Sequence, residues 1–231
     1  MSKLLNCSFD SYLHFGGRQF LRSASLHTDP CFSLGSGAIN EPAEPGQLKP
    51  VNRRSWKQSD LHVVLVEPQI PQNTGCIART CAATAVPLHL VEPLAFKLDS
   101  SKLKRAGLDY WPHVCMKVHS SWKEFINHYD QIQQPKRLVA FSARSSESFT
   151  GSGFHFQRGD WMLFGSETVG LPKEVLDDVY AQGGRVVKIP IVDRHVRSLN
   201  VSVAAGIGVY EAIRQVEQAA EESLTHSETT T

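Results

Sequence analysis

The chain has 231 residues, is 41% hydrophobic and 20% charged, and carries a net charge of +1. That length and balance suit one main globular domain, and they exclude binding to nucleic acid through a global basic field, so phosphate contacts must come from local Lys and Arg clusters. No apolar run approaches the ~18 residues that span a bilayer, and five cysteines without a C-x-x-C pair point to reduced thiols, with neither a disulfide framework nor a zinc site.

Residues 1–60 show no sustained helical or strand period and are rich in Ser, Gly, Pro and Asn, a composition that does not build a packed element. Lys3, Arg18 and Arg22 stand against Asp10 alone in its first part. This segment is similar to an organelle transit peptide and lacks the continuous apolar centre of a secretory signal. An organelle is therefore the expected location, chloroplast ahead of mitochondrion, with the cytoplasm as the alternative. Arg53, Arg54 and Lys57 around Trp56 read as a solvated linker.

From Leu61 the grammar changes. "LHVVLV", "PLHLV", "RLVAF", "WMLFG" and "RVVKIP" are strand-like, and helical patterns lie between them at residues 74–85, 121–129, 172–180 and 199–218. Nearly continuous apolar strands alternating with helices predict an α/β fold, a parallel sheet flanked by helices on both faces. The folded domain is expected over residues 61–218, with 219–231 as a frayed acidic and polar tail. Ligands of such sheets bind in the loops at the carboxyl ends of the strands.

After the first strand comes "EPQIPQNTGCIARTCAA". Asn73 is the expected N-cap, because two prolines precede it and its side chain can accept from an amide two or three residues on. Gly75, Arg79, Ala82 and Ala83 share one helix face, and Ile77, Cys81 and Ala85 share another that can be buried. Arg79 then projects over a surface of small residues, an arrangement suited to a polyanion or a partner chain. Further on, "FKLDSSKLKRAGLDYW" sets Lys97, Lys102, Lys104 and Arg105 beside Tyr110 and Trp111. This is either a surface for phosphate and stacked bases or a solvated helix face.

"WMLFGSETVGLPKEVL" runs an apolar strand into Gly165, then into Ser166, Glu167 and Thr168, and reaches a helix through Pro172. Glycine there lets a ligand approach the main chain closely. No dinucleotide or P-loop signature is present. "KIPIVDRHVRSLNVS" follows the last strand, and it converges Arg194, His195 and Arg197 on the cap-type residues Ser198, Asn200 and Ser202, an anion or ribose site at a helix start. Gly206 and Gly208 inside the next helix each cost about 1 kcal/mol relative to Ala, a loss that close backbone packing would offset.

The stretches "EPQIPQNTGCIARTCAAT", "RAGLDYW", "FGSETVGLP" and "IPIVDRHVRSLNVSVAAGIGVYEA" resemble the SPOUT superfamily of RNA methyltransferases. Within it they look like the TrmL-like tRNA (cytidine/uridine-2′-O-)-methyltransferases, which modify the wobble ribose. The resemblance spans Leu61 to about Gln215. It implies a C-terminal deep trefoil knot, S-adenosylmethionine as methyl donor, a tRNA anticodon stem-loop as substrate and a homodimer, with no metal and no membrane. Carried over, it implies catalytic roles for Arg79, Asn73, Ser198 and Asn200. The cofactor would lie against Phe141, Gly165, Glu167, Ile189, Ser198 and Leu199, and Lys102, Lys104, Arg105, Arg194 and Arg197 would contact RNA. "VDRHVRS" departs from the family form, being a residue longer and placing Asp193, Arg194 and His195 where proline and serine are common. Ribosomal RNA as substrate, and a knotted RNA-binding protein without turnover, are the alternatives.

Methyl transfer from a sulfonium to a hydroxyl is an in-line displacement, so the protein must align the partners and handle one proton. Neutralising a guanidinium, whose pKa lies far above neutral, costs roughly 9 kcal/mol at neutral pH. A charged Arg79 that fixes a phosphate and stabilises the developing alkoxide is the cheaper expectation.

Overall fold

The structure, a computed structural model, describes residues 61–98, 114–192 and 195–228. Six strands alternate with four long helices in the described residues: β1 (Leu61–Val66), α1 (Pro71–Thr84), β2 (Leu88–Val91), β3 (Met116–His119), α2 (Trp122–Asp130), β4 (Arg137–Phe141), β5 (Asp160–Phe164), α3 (Lys173–Ala181), β6 (Arg185–Val187) and α4 (Val201–Glu228). All pairings are parallel, in the order β3-β2-β1-β5-β4-β6. The expected parallel sheet is present, with one strand more than the sequence patterns gave. β3, "MKVH", is short and carries two polar residues, so it has no apolar run to mark it.

Alternation along the strands builds two cores. Leu61, Val63 and Leu65 of β1 face one side with Leu88, Leu90, Met162 and Phe164, where α1 and α4 contribute Ile77, Ala78, Cys81, Ala205, Val209 and Ala212. Val64 and Val66 face the other side with Leu138, Trp161 and Leu163, under Trp122, Phe125 and Tyr129 of α2 and Val175 and Val179 of α3. Each fully buried side chain of this size contributes about 1.5–3 kcal/mol.

Helix boundaries differ from expectation at both ends of the domain. α1 starts at Pro71, not after the prolines, because a proline at the first helical position lacks only an N–H that has no intrahelical partner there. Asn73 is therefore inside the first turn, and the cap position belongs to Ile70, which makes no side-chain cap bond. Ala85, expected on the buried face, is the exposed left-handed C-cap (φ 54°), whereas Gly75 is buried. α4 continues through the segment expected to fray, as far as Glu228. Of the described cysteines, Cys76 and Cys81 are free thiols, burial pushing Cys81 up to about 12.

Candidate active site

From β1 the chain steps outward to β2 and β3, and from β5 it steps past β4 to β6 on the other side. The carboxyl ends of the adjacent strands β1 and β5 thus form the switch point at which such sheets admit ligands. Glu67 leaves β1 in the left-handed region (φ 52°), and the chain enters α1 three residues after it at Ile70 and Pro71.

α1 has no acidic residue in its first turn. Glu167, from the loop after β5, supplies one. One carboxylate oxygen, Oε2, accepts from the Gln69 amide at 2.8 Å, and the other, Oε1, accepts from the Ile70 amide at 3.1 Å and Asn73 Nδ2 at 3.0 Å. A carboxylate beside these amides also meets the positive end of the helix dipole. Thr168 Oγ1 donates to Gln69 Oε1 at 2.7 Å, a second tie between the same two loops.

The carboxylate can only accept, so the Asn73 amide must turn its NH2 toward Glu167 and its oxygen away. That oxygen accepts from Asn200 Nδ2 at 3.0 Å. Asn200 in turn caps α4, its Oδ1 accepting from the Ser202 amide at 2.8 Å and Ser202 Oγ at 2.6 Å. One row, Glu167–Asn73–Asn200, therefore fastens the loop after β5, the start of α1 and the start of α4 together.

The loop after β5 also closes on itself. A Cβ on Gly165 would stand 2.1 Å from the Gly170 carbonyl carbon and 2.2 Å from the Leu171 nitrogen. Gly170 adopts φ 82° and donates its amide to the Ser166 carbonyl at 2.9 Å. Gly165 is required by this main-chain contact and Gly170 by its left-handed φ, before any ligand is considered.

Around this row, Phe141 ends β4 with its ring stacked on Phe164, centroids 4.7 Å apart. Ile189 is partly buried against the core on the α4 side, and Leu199 is half-buried. Arg197, Ser198 and Asn200 are exposed in the segment between β6 and α4, and Arg79 is exposed on α1. Asn73, Glu167 and Asn200 are thus brought into direct contact, while Arg79 and Ser198 sit on the elements this row fixes. Lys102, Lys104, Arg105 and Arg194 lie outside the described residues, as does the leader at 1–60. The Gln69 and Ile70 amides, the bond from Thr168 to Gln69 and the buried Thr74 hydroxyl, which has no hydrogen-bond partner, were not singled out by sequence. The available signal was a helix opening without an acid of its own.

Residues 60–210 match the model of the SpoU rRNA Methylase family. The tRNA (cytidine(34)-2′-O)-methyltransferase of Saccharophagus degradans is 44% identical over 160 residues, which are 68% of this chain and 96% of the relative. A solved structure concerned with 2-OH methylation of C/U34 on tRNA shares 48% identity at a TM-score of 0.60, over 68% of this chain and 97% of that one. The AdoMet-bound rRNA methyltransferase of Sinorhizobium meliloti is 25% identical with a TM-score of 0.57, over 67% of this chain and 56% of its own.

Proposed function

The chain belongs to the SpoU rRNA Methylase family, and from that premise we propose that it methylates the ribose 2′-oxygen of the pyrimidine at the wobble position of tRNA with S-adenosylmethionine. The observation that carries the reading is the row Glu167–Asn73–Asn200, which joins the stretches "EPQIPQNTGCIARTCAAT", "FGSETVGLP" and "IPIVDRHVRSLNVSVAAGIGVYEA" at the carboxyl ends of β1 and β5. Relatives with nearly full-length coverage act on position 34 of tRNA by name.

The residues present suit the donor. Leu171, Ile189 and Leu199 offer partly buried apolar surface for an adenine ring. Glu167's carboxylate is already occupied by two amides and Asn73, so it does not confront the donor's own carboxylate as a bare charge. Main-chain groups at 165–170, 189–192 and 195–199 would hold it. When bound, the donor supplies a methyl group activated on a sulfonium. Arg79, carried on α1, would fix a phosphate of the RNA and stabilise charge developing on the ribose oxygen, with a phosphate oxygen or water taking the proton. The row holds α1 in place while this happens, so alignment is set before the substrate arrives.

A trefoil knot is part of this proposal. Its support is the path after β6: Lys188 bonds to Glu147 and Phe149 of the loop between β4 and β5, and the chain then returns to the centre, where α4 packs on β1 and β5. A homodimer belongs to it as well. Val203, Ile207 and Tyr210 are exposed at helical spacing on α4 (50%, 38% and 58%), with Gly206 between them, and α4 packs beside α1. Such a stripe of small and apolar residues suits a symmetric partner that brings a second α1, with its Arg79, close to the site. We also propose that residues 1–60 direct the chain to an organelle, which imaging of a fluorescent fusion of that segment tests.

Radiolabelled methyl transfer to separate pools of tRNA and ribosomal RNA tests the function. Label confined to the 2′-oxygen of position 34 is the expected result. Label in ribosomal RNA alone would move the substrate, and no label with a folded protein would leave an RNA-binding role.

A further inference from the structure

Four histidines away from this site form one row in the layer between the sheet and α2. His62 comes from β1, His89 from β2, His119 from β3 and His128 from α2. Nδ1 of His62 is 3.3 Å from Nε2 of His89, and Nδ1 of His89 is 3.0 Å from Nε2 of His119. His62 lies flat on Trp161, with centroids 3.8 Å apart. At the other end His128 sits 5.3 Å from His119, ring to ring, with its Nδ1 3.1 Å from Lys117 Nζ. His89 and His119 are buried, and His119 Nδ1 has no hydrogen-bond partner.

Each nitrogen–nitrogen contact can hold one hydrogen, so a neutral row takes one of two polarities. In one, His119 Nδ1 is an N–H without an acceptor; in the other, it is a lone pair without a donor. The row is not a chelate: His89 uses opposite nitrogens for its two neighbours, and no group of three or more His, Cys, Asp or Glu among the described residues is placed to hold a metal ion.

Charge brought into this layer meets little to balance it. Lys117 of β3 and His128 of α2 add positive charge, and Tyr129 of α2 and Trp161 of β5 offer aromatic faces. Glu124 of α2 is exposed and accepts from Ser120, and Asp160 of β5 is paired with Arg137. Burial accordingly holds His62 at about 3 and His119 at about 4, and His89 well below its ordinary value.

We propose that this row is an acid-operated latch: neutral, it fastens α2 and the edge strand β3 to the sheet; protonated, it releases them while the face covered by α1 and α4 stays folded. The geometry localises the response. Among the described residues β3 pairs only with β2, α2 reaches the sheet through Trp122, Phe125 and Tyr129 beside the row, and no member of the row belongs to the α1–α4 core.

Amide hydrogen exchange on the full chain, corrected for the intrinsic pH dependence of exchange, tests this. Three imidazoles that take up protons only in the open form raise the opening constant by up to about a thousandfold per pH unit below ~6.5. The expected result is at least a tenfold loss of protection in α2 and β3 between pH 6.5 and 5.5, with α4 unchanged, and a flattened response in His89→Phe/His119→Phe. Should that variant fail to fold, imidazole titration of the unaltered protein decides. The three rings must keep neutral shifts until α2 opens, and any of them titrating near 6.5 with α2 closed overturns the latch. So does protection of α2 retained at pH 5.5, or α2 and α4 losing protection together.

Discussion

At the scale of the residue, the proposed site assigns holding to Glu167 and, by proposal, acting to Arg79. Glu167 accepts three N–H bonds at the start of α1. Glu167→Gln keeps one acceptor and turns an NH2 against donors, so it should cost about 1–3 kcal/mol of stability, bonds to a charged acceptor being the stronger kind. Denaturant unfolding reads this. An unchanged midpoint together with lost donor affinity would instead put the carboxylate in the ligand's pocket. Arg79→Lys should leave the fold and donor binding intact and lose most of the turnover, since an ammonium cannot reproduce the bidentate fork of a guanidinium. Calorimetry with the donor and a single-turnover assay separate the two, and turnover near that of the unaltered protein would remove Arg79 from the mechanism. The residue types of the site were legible in the sequence, but their partners were not. Asn73 reads as a cap because proline is taken as a barrier, whereas Pro71 begins the helix and a distant glutamate does the capping. The contact joins residues separated by 94 positions, and no local pattern encodes it.

At the scale of the element, the two glycines of α4 show how far propensity reasoning reaches. Both lower helix propensity by about 1 kcal/mol relative to Ala, and close packing is the expected reason. The structure supplies that reason within the protomer for only one of them. A Cβ on Gly208 would lie 2.8 Å from Phe141 Cζ, whereas a Cβ on Gly206 would meet nothing within 4 Å. Gly208→Ala should therefore destabilise by about 1–3 kcal/mol through overpacking against the ring, and Gly206→Ala should stabilise an isolated protomer by up to about 1 kcal/mol. Unfolding midpoints measured at a dilution that favours the protomer compare them. Equal effects would show that the Phe141 contact yields freely. The same limit explains β3 and the imidazole row. Strands with apolar runs announce themselves, but a histidine inside "LHVVLV" or "LHLV" reveals nothing of its neighbour until the register sets His89 between His62 and His119.

For the whole molecule, association and acid stability follow from what each face of the sheet leaves exposed or buried. The α1–α4 side ends in the exposed stripe of Val203, Ile207 and Tyr210. Ile207→Asp should give a monomer in sedimentation and lose methyl transfer with little change in the protomer's own unfolding, because the side chain is exposed there; an active monomer would sink the dimer. The opposite side carries the buried imidazoles, and its prediction is a pH dependence with a definite sign. Burial lowers His62, His89 and His119 in the folded chain below the ~6.5 of the unfolded one, so the unfolded chain binds protons first as pH drops. No stability is at stake above that value. Below it, each group removes about 1.4 kcal/mol per pH unit, and the three together about 4 kcal/mol per unit until His119 itself begins to titrate near 4. Asp160 acts in the other direction. Its burial outweighs the Arg137 pair and raises the carboxyl above its usual range, so the folded chain takes that proton early, but one group offsets only part of three. Against a total stability of about 5–15 kcal/mol, this loss is large enough to open α2 and β3 below pH ~6.5, over a far narrower interval than one titrating group could produce, while the α1–α4 face stays folded. The pH dependence of amide exchange in α2 and β3 measures the slope, and a slope near one proton per molecule would mean that the row accepts charge without opening.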